Sequence, residues 1–341
     1  MPESRELFIP EAELKKYITD GPDAASKTKA LLAQQKESWP LLNKNYAELD
    51  KVEFKKYDFN GFELKVQFNP GRIVSSSAKV DEKSIKERKC FLCQKNLPAE
   101  QRAVSFNEEY NILCNPFPIF PEHFTLPNTG HVPQRISDSF SVFLDFCRDL
   151  GEDFTVFYNG PKCGASAPDH LHFQAGSKYF MPLDSVLERL DTGSGLLFQD
   201  SHLKIYAPAE YPVRFFAFES AGAGSLERAF IKLYRVLEEL NKEEAEPMMN
   251  IIGNSGNGKI RVAVFPREKH RPSHFFAEGE ANILLSPASV DMGGVMITPL
   301  EKDFRKITKT DIENIFSEIS PSEEKFTIMK KALLDELTAE F

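Results

Sequence analysis

Two Asn-Gly pairs, Asn60-Gly61 and Asn257-Gly258, each sit between strand-like apolar runs, and around the first the apolar residues recur at nearly every second position. Asn-Gly accepts left-handed backbone at both central residues of a two-residue turn, and the twist of that turn matches the strands it joins. Around the first pair, Val52, Phe54, Tyr57 and Phe59 lead in, and Phe62, Leu64, Val66 and Phe68 lead out. Around the second, Met248 to Ile252 lead in and Ile260 to Phe265 return. The pattern predicts two antiparallel hairpins, and therefore a frame of antiparallel sheet.

The rest of the chain alternates strands with helices. Residues 11–49 read as helical with a Lys-rich surface, and residues 75–89 as a polar, charged loop. Tyr110 to Asn115, His123 to Leu126 and Phe154 to Tyr158 are strand-like. Between the last two, Phe140, Phe143, Leu144 and Cys147 give a helical spacing, with Ser137 as the expected N-cap. Later come a strand at Arg214 to Phe218, an amphipathic helix at Leu226 to Leu240, and two helices after residue 310. This mixture predicts an α+β fold with a mostly antiparallel sheet and flanking helices. The strand–helix–hairpin order after Arg214 loosely echoes Tyr110 to Gln174, as a degenerate internal duplication would.

The formal net charge of −9 argues against a nucleic-acid partner, which would need clustered Lys and Arg over a wide face. The start, MPESRELFIPEAELKKY, lacks a basic segment followed by an apolar one, and no apolar run approaches the ~20 residues that span a bilayer. The expectation is a cytoplasmic protein with no membrane partner. Five cysteines, an odd number, fit no complete disulfide framework, and Cys114 and Cys147 read as buried small apolar residues.

One segment stands out chemically. In a strand, residues two apart share a face, so His170, His172 and Gln174 would project together while Leu171 and Phe173 pack behind. The preceding loop, Gly160-Pro161-Lys162-Cys163-Gly164-Ala165-Ser166, is rich in small residues whose backbone N–H groups can approach a phosphate. Asn159 and Ser166 add neutral donors. A neutral imidazole beside such a loop can attack phosphorus, splitting one hard transfer into two easier ones. Taken alone, the strand also fits a merely solvated face, and the loop a simple turn.

Cys90 and Cys93 form a CxxC, half of a tetrahedral zinc site. Without further ligands the two would be buried thiols. Arg261, Arg267, Lys269, His270 and Arg271 cluster in KIRVAVFPREKHRPSHFF, in an otherwise acidic chain. The cluster fits either a solvated face or a hold on a distal phosphate, with Lys162 as a further candidate. His202 and His274 read as ordinary histidines.

The stretches NPFPIFPEHFTLPNTGH and YNGPKCGASAPDHLHFQAG, within Lys89 to Gly176, resemble the histidine-triad superfamily. The resemblance is to the branch that holds galactose-1-phosphate uridylyltransferase, GDP-L-galactose phosphorylase and diadenosine tetraphosphate phosphorylase. It implies a histidine-triad-like unit at residues 51–200, a helical extension at 1–50, and a second, degenerate unit with C-terminal helices at 201–341. It implies that His172 is the nucleophile and that Gln174 contacts the transferred phosphate, a Gln that goes with transfer rather than hydrolysis. Asn159, Gly164, Ala165 and Ser166 would contact phosphate, and Asn115 and Phe117 would line the nucleoside pocket. Structural zinc would be held by Cys90, Cys93, His131 and His170, with His123 the rival third ligand; no organic cofactor is implied.

The expected activity is a nucleotidyltransferase or phosphorylase acting on a nucleoside diphosphate-sugar of the GDP-hexose kind or a dinucleoside polyphosphate. Inorganic phosphate or a sugar phosphate would be the acceptor. Two other readings stay open on sequence: a nucleotide hydrolase using the same His172, and a zinc-stabilised nucleotide-binding protein without turnover.

Overall fold

The computed structural model describes residues 7–73, 81–192, 195–241 and 245–339. Its frame is a ten-stranded sheet in which every neighbouring pair is antiparallel. A separate three-stranded sheet carries the first hairpin, β1 (Glu53–Phe59) and β2 (Phe62–Phe68). The large sheet holds β3 (Ala103–Phe106), β4 (Tyr110–Cys114), β5 (His123–Pro127), β6 (Phe154–Asn159) and β7 (His172–Ser177). It continues with β8 (Leu196–Gln199), β9 (Lys204–Tyr206), β10 (Phe216–Ser220), β11 (Met249–Gly256) and β12 (Lys259–Pro266). Finally β13 (Val295–Thr298) runs parallel to β2 and completes the small sheet.

The order across the large sheet is β3-β4-β5-β7-β6-β11-β12-β10-β9-β8. Each half follows one rule: first, second, third, fifth, fourth strand from the outside inward. In each half a helix separates the third strand from the fourth, Phe140–Leu150 in one and Ala223–Leu240 in the other. The halves meet at β6 and β11, from Asn159 opposite Asn250 to Val156 opposite Gly253. Strand β8 lies within residues 51–200 but pairs with β9 of the later half.

Both Asn-Gly turns take the backbone their sequence predicts, with φ of 54° and 91° at Asn60 and Gly61 and 54° and 71° at Asn257 and Gly258. The helical amino-terminal region is broken into Glu11–Leu14, Ala24–Ser38 and Pro40–Ala47, because Gly21 turns left-handed and Pro40 starts a new helix. Of the loop expected over 75–89, residues 75–80 lie outside the described residues. The remainder contains the helix Glu82–Glu87, capped by the Asp81 side chain on the Ser84 N–H. The central helix begins at Phe140 with Ser139, not Ser137, at the N-cap position.

Strand residues alternate between two cores, as the period of two requires. Phe173, Val156, Tyr158, Ile251 and Val262 face the helices Phe140–Leu150 and Ala223–Leu240. Phe157, Ile252, Ala263 and Phe265 face the small sheet and the helices at Leu183–Glu188 and Lys309–Ile319. Gly253 lets the central helix approach β11, since a Cβ there would stand 2.6 Å from Cys147 Sγ. No helix of the described residues is long and apolar enough to cross a membrane.

Candidate active site

Strand β7 begins at His172, so the alternation that places His172 and Gln174 on one face does not extend back to His170. The expected projection of all three side chains together is thus corrected. His170 sits in the turn before the strand, where its ring goes to the cysteines. His172 is buried, and its Nδ1 lies 2.8 Å from the backbone oxygen of His170. The ring donates there, which leaves the lone pair on Nε2. Burial pushes the imidazole down to about 4, with the His170 bond opposing. The ring is therefore neutral near pH 7.

Sequence reasoning missed the residue that holds this strand end. The loop 160–171 interrupts the ladder between β6 and β7, and the buried Gln134 side chain bridges the gap. Its Nε2 donates to the carbonyls of Asn159 and His172, both at 3.0 Å. Its Oε1 accepts the His172 N–H at 2.8 Å. Gln134 lies 38 residues from His172 in sequence, between a proline and an arginine, and no periodicity marks it.

His123 is on β5, fully buried, and 3.0 Å from Gln174 Oε1 through its Nε2. Its Nδ1 accepts the Ile119 N–H at 3.2 Å. It is not among the groups clustered for a metal, so the rival ligand assignment is set aside. Thr125, opposite Gln174, receives the Asn115 side-chain amide, and Asn115 Oδ1 takes the Phe117 N–H. Asn115 and Phe117 thus stand on the Gln174 side of the site, with the Phe117 ring 38% exposed.

In the small-residue loop, Gly164 adopts φ of +97°, and a Cβ would come within 2.5 Å of Ala288 Cβ. The loop packs directly on the segment around Ser289, and only Gly fits there. Asn159 Oδ1 accepts from Asn250 Nδ2 at 3.0 Å and from the Ser289 N–H at 2.8 Å. Ala165 is buried, while the Ser166 carbonyl takes Arg88 Nη2. His172 and Gln174 share one face of β7, and Asn159 ends the neighbouring strand β6 where the loop begins.

Cys90, Cys93, His131 and His170 offer four ligand atoms all within 4.8 Å of one another. Cys90 Sγ is 3.3 Å and Cys93 Sγ 3.7 Å from His170 Nδ1, and Cys93 Sγ is 3.2 Å from His131 Nδ1. Ligands about 2.0–2.3 Å from one tetrahedral ion stand at roughly such separations from each other. The His170 tautomer fits as well, since Nε2 donates to the Asn128 carbonyl at 2.8 Å and frees Nδ1 for a metal. Burial works against the Cys90 thiolate, yet the hydrogen bond with His170 draws its thiol down to about 6. The donor set could hold a metal ion, and with four protein ligands that metal would be structural.

The basic stretch divides. Arg261 is locked in a buried ion pair with Glu219 at 2.8 Å, so it does not serve the site. Lys269 meets Glu318 at the surface. Arg267 is buried and donates to Asn250 Oδ1 at 2.6 Å. Cys114, Cys147 and Cys163 are buried and form no disulfide.

Two family models match the chain: a domain of unknown function (DUF4922) over residues 31–177, and a GDPGP1-like, C-terminal domain over residues 186–340. No curated protein sequence matches it. Among solved structures, yeast Ap4A phosphorylase Apa2 in complex with AMP is similar, at a TM-score of 0.56 and 16% identity, covering 85% of this chain and 96% of that one. The same yeast enzyme in complex with Ap4A gives 0.55 and 16%, covering 84% and 97%. A uridylyltransferase mutant is more distant, at 0.37 and 11%, covering 67% and 89%. Residues 186–340 thus match a GDPGP1-like, C-terminal domain, and the chain as a whole shares its fold with the yeast Ap4A phosphorylase.

Proposed function

We propose that this chain is a nucleotidyltransferase or phosphorylase that works through a covalent nucleotidyl-His172 intermediate. The observation that carries the reading is the His172 ring. It is neutral, fixed by its Nδ1 bond to the His170 carbonyl, and shares a face with Gln174 beside the Asn159 loop. In the first step Nε2 attacks the α-phosphorus and an N–P bond forms. The P–O bond to the departing group breaks, and that group leaves as a phosphate anion with the electron pair. In the second step an oxygen of inorganic phosphate or a sugar phosphate attacks, the N–P bond breaks, and neutral His172 is restored. Neutral donors on the phosphoryl oxygens stabilise the charge that develops in both steps.

The substrate class is a nucleoside diphosphate-sugar of the GDP-hexose kind or a dinucleoside polyphosphate. The Phe117 ring, exposed beside Asn115, suits a base or ribose. The distal phosphate would meet Lys162, His270 and Arg271. Support for that subsite comes from His270, whose imidazole burial and the cations Arg271, Arg267 and Lys162 push down to about 4. A cluster of this kind gains from a bound anion. Cys90, Cys93, His131 and His170 would hold structural zinc, which would fix the turn that carries the His170 carbonyl and so the His172 ring.

The test is a panel of GDP-, UDP- and ADP-sugars and dinucleoside tetraphosphates labelled at the α-phosphorus, each with and without phosphate. The expected result is a labelled protein adduct, lost in His172→Ala, which phosphate discharges with release of a nucleoside diphosphate. A rate unaffected by phosphate would mean a hydrolase. Full turnover by His172→Ala would end the proposal.

A further inference from the structure

Asn and Gln amides carry an acceptor at one end and donors at the other, and a half-turn exchanges them. A phosphate site needs the donor end. Two chains of hydrogen bonds reach this site, and each begins at a group that can only donate.

The first begins at the backbone N–H of Ile119, which donates to His123 Nδ1 at 3.2 Å. That nitrogen must therefore be bare, and the ring proton must sit on Nε2. Nε2–H then donates to Gln174 Oε1 at 3.0 Å. The reverse amide orientation would set two donors against each other. Burial and the nearby Arg72 cation push the His123 imidazole down to about 3, so its single proton does not become two near pH 7.

The second begins at the Arg267 guanidinium, only 1% exposed, which donates to Asn250 Oδ1 at 2.6 Å. This turns the Asn250 NH2 towards Asn159 Oδ1, 3.0 Å away, where the Ser289 N–H also arrives at 2.8 Å. Asn250 gives its other bonds to the Cys163 carbonyl and Ser289 Oγ. Among the described residues, neither Gln174 Nε2 nor Asn159 Nδ2 donates to a protein group.

We infer that His123 and the Arg267–Asn250 pair are positioning residues that lock the amides of Gln174 and Asn159 with their NH2 groups towards the transferred phosphoryl group. The lock presents to the phosphoryl group two amide NH2 donors that carry no charge, do not titrate, and need no reorientation at the moment of transfer. It also gives the buried Arg267 a purpose, since its two terminal nitrogens otherwise donate only to the carbonyl oxygens of Pro287, Lys269 and His270. The inference rests on the proposed transfer at His172.

The experiment combines kinetics with NMR. For the phosphate-dependent reaction, His123→Leu should lower kcat about a hundredfold with little change in KM, the scale of one lost oxyanion donor. The same substitution in a Gln174→Ala background should lower it almost no further, because the two act as one unit. His123→Gln, which can accept from Ile119 and donate to Gln174, should recover about tenfold or more of that loss. In 15N-labelled wild-type protein, His123 should carry its proton on Nε2, and AMP should shift the side-chain amide protons of Gln174 and Asn159. Independent, additive losses from His123→Leu and Gln174→Ala would overturn the lock, as would a proton on His123 Nδ1 or unmoved amides under saturating AMP. Absence of any His172 adduct in the wild type would instead remove the proposed reaction, while the tautomer and amide shifts still report on the lock.

Discussion

At the scale of single residues, the site depends on side chains that do no chemistry. Gln134 closes the gap that the loop 160–171 opens between β6 and β7, with three bonds of 2.8–3.0 Å. Gln134→Ala leaves three buried backbone groups unpaired, at about 1–3 kcal/mol for a group left so. We expect urea unfolding to show a loss of roughly 3 kcal/mol, and a loss below about 1 kcal/mol would contradict this role. Legibility follows from the same geometry. His172 and Gln174 can be read from alternation within a short segment. Gln134, Asn250 and Arg267 cannot, because their partners come from segments up to 91 positions away in sequence and no local pattern records them.

Among elements, the hairpins are the most readable because the Asn-Gly backbone is a local property, and β1–β2 and β11–β12 fall at the expected turns. Short strands such as β8 and β9, of four and three residues, offer too few alternations to register. The turn that carries His170 reads as strand because its sequence alternates; the pull towards Cys90 and Cys93 is tertiary. That turn gives a prediction. Chelation should release one zinc per chain, expose the Cys90 and Cys93 thiols to modification, and lower the melting temperature. A chain that keeps its melting temperature and thiol reactivity under chelation would show that the four side chains hold no metal.

The whole molecule is tied together by a buried carboxyl. Glu246, ahead of β11, accepts the Ile136 N–H at 2.6 Å and the Tyr158 hydroxyl at 2.6 Å, so it joins the later half to both flanks of the central helix. Burial raises its carboxyl to about 7, while the bonds from Tyr158 and Ile136 and the nearby Arg135 oppose. The folded protein thus holds a proton that the unfolded chain, near 4.5, has already lost. Its stabilising effect is full below pH 4.5 and fades as pH rises through about 7. Glu246→Gln should therefore narrow the fall in melting temperature between about pH 5.5 and 8.5. An unchanged fall, measured by calorimetry, would assign the pH dependence to other groups.

The seam between β6 and β11 has a consequence for how this chain can be made and divided. Each half closes its sheet only by borrowing the other's border strand, from Asn159 beside Asn250 to Val156 beside Gly253. A half synthesised by itself would present that border bare, as a template for any passing strand. During synthesis the earlier half must wait, with β6 uncovered, until β11 emerges some ninety residues later. For this molecule, the interval before its own second half arrives is the period of greatest exposure to association with the wrong chain.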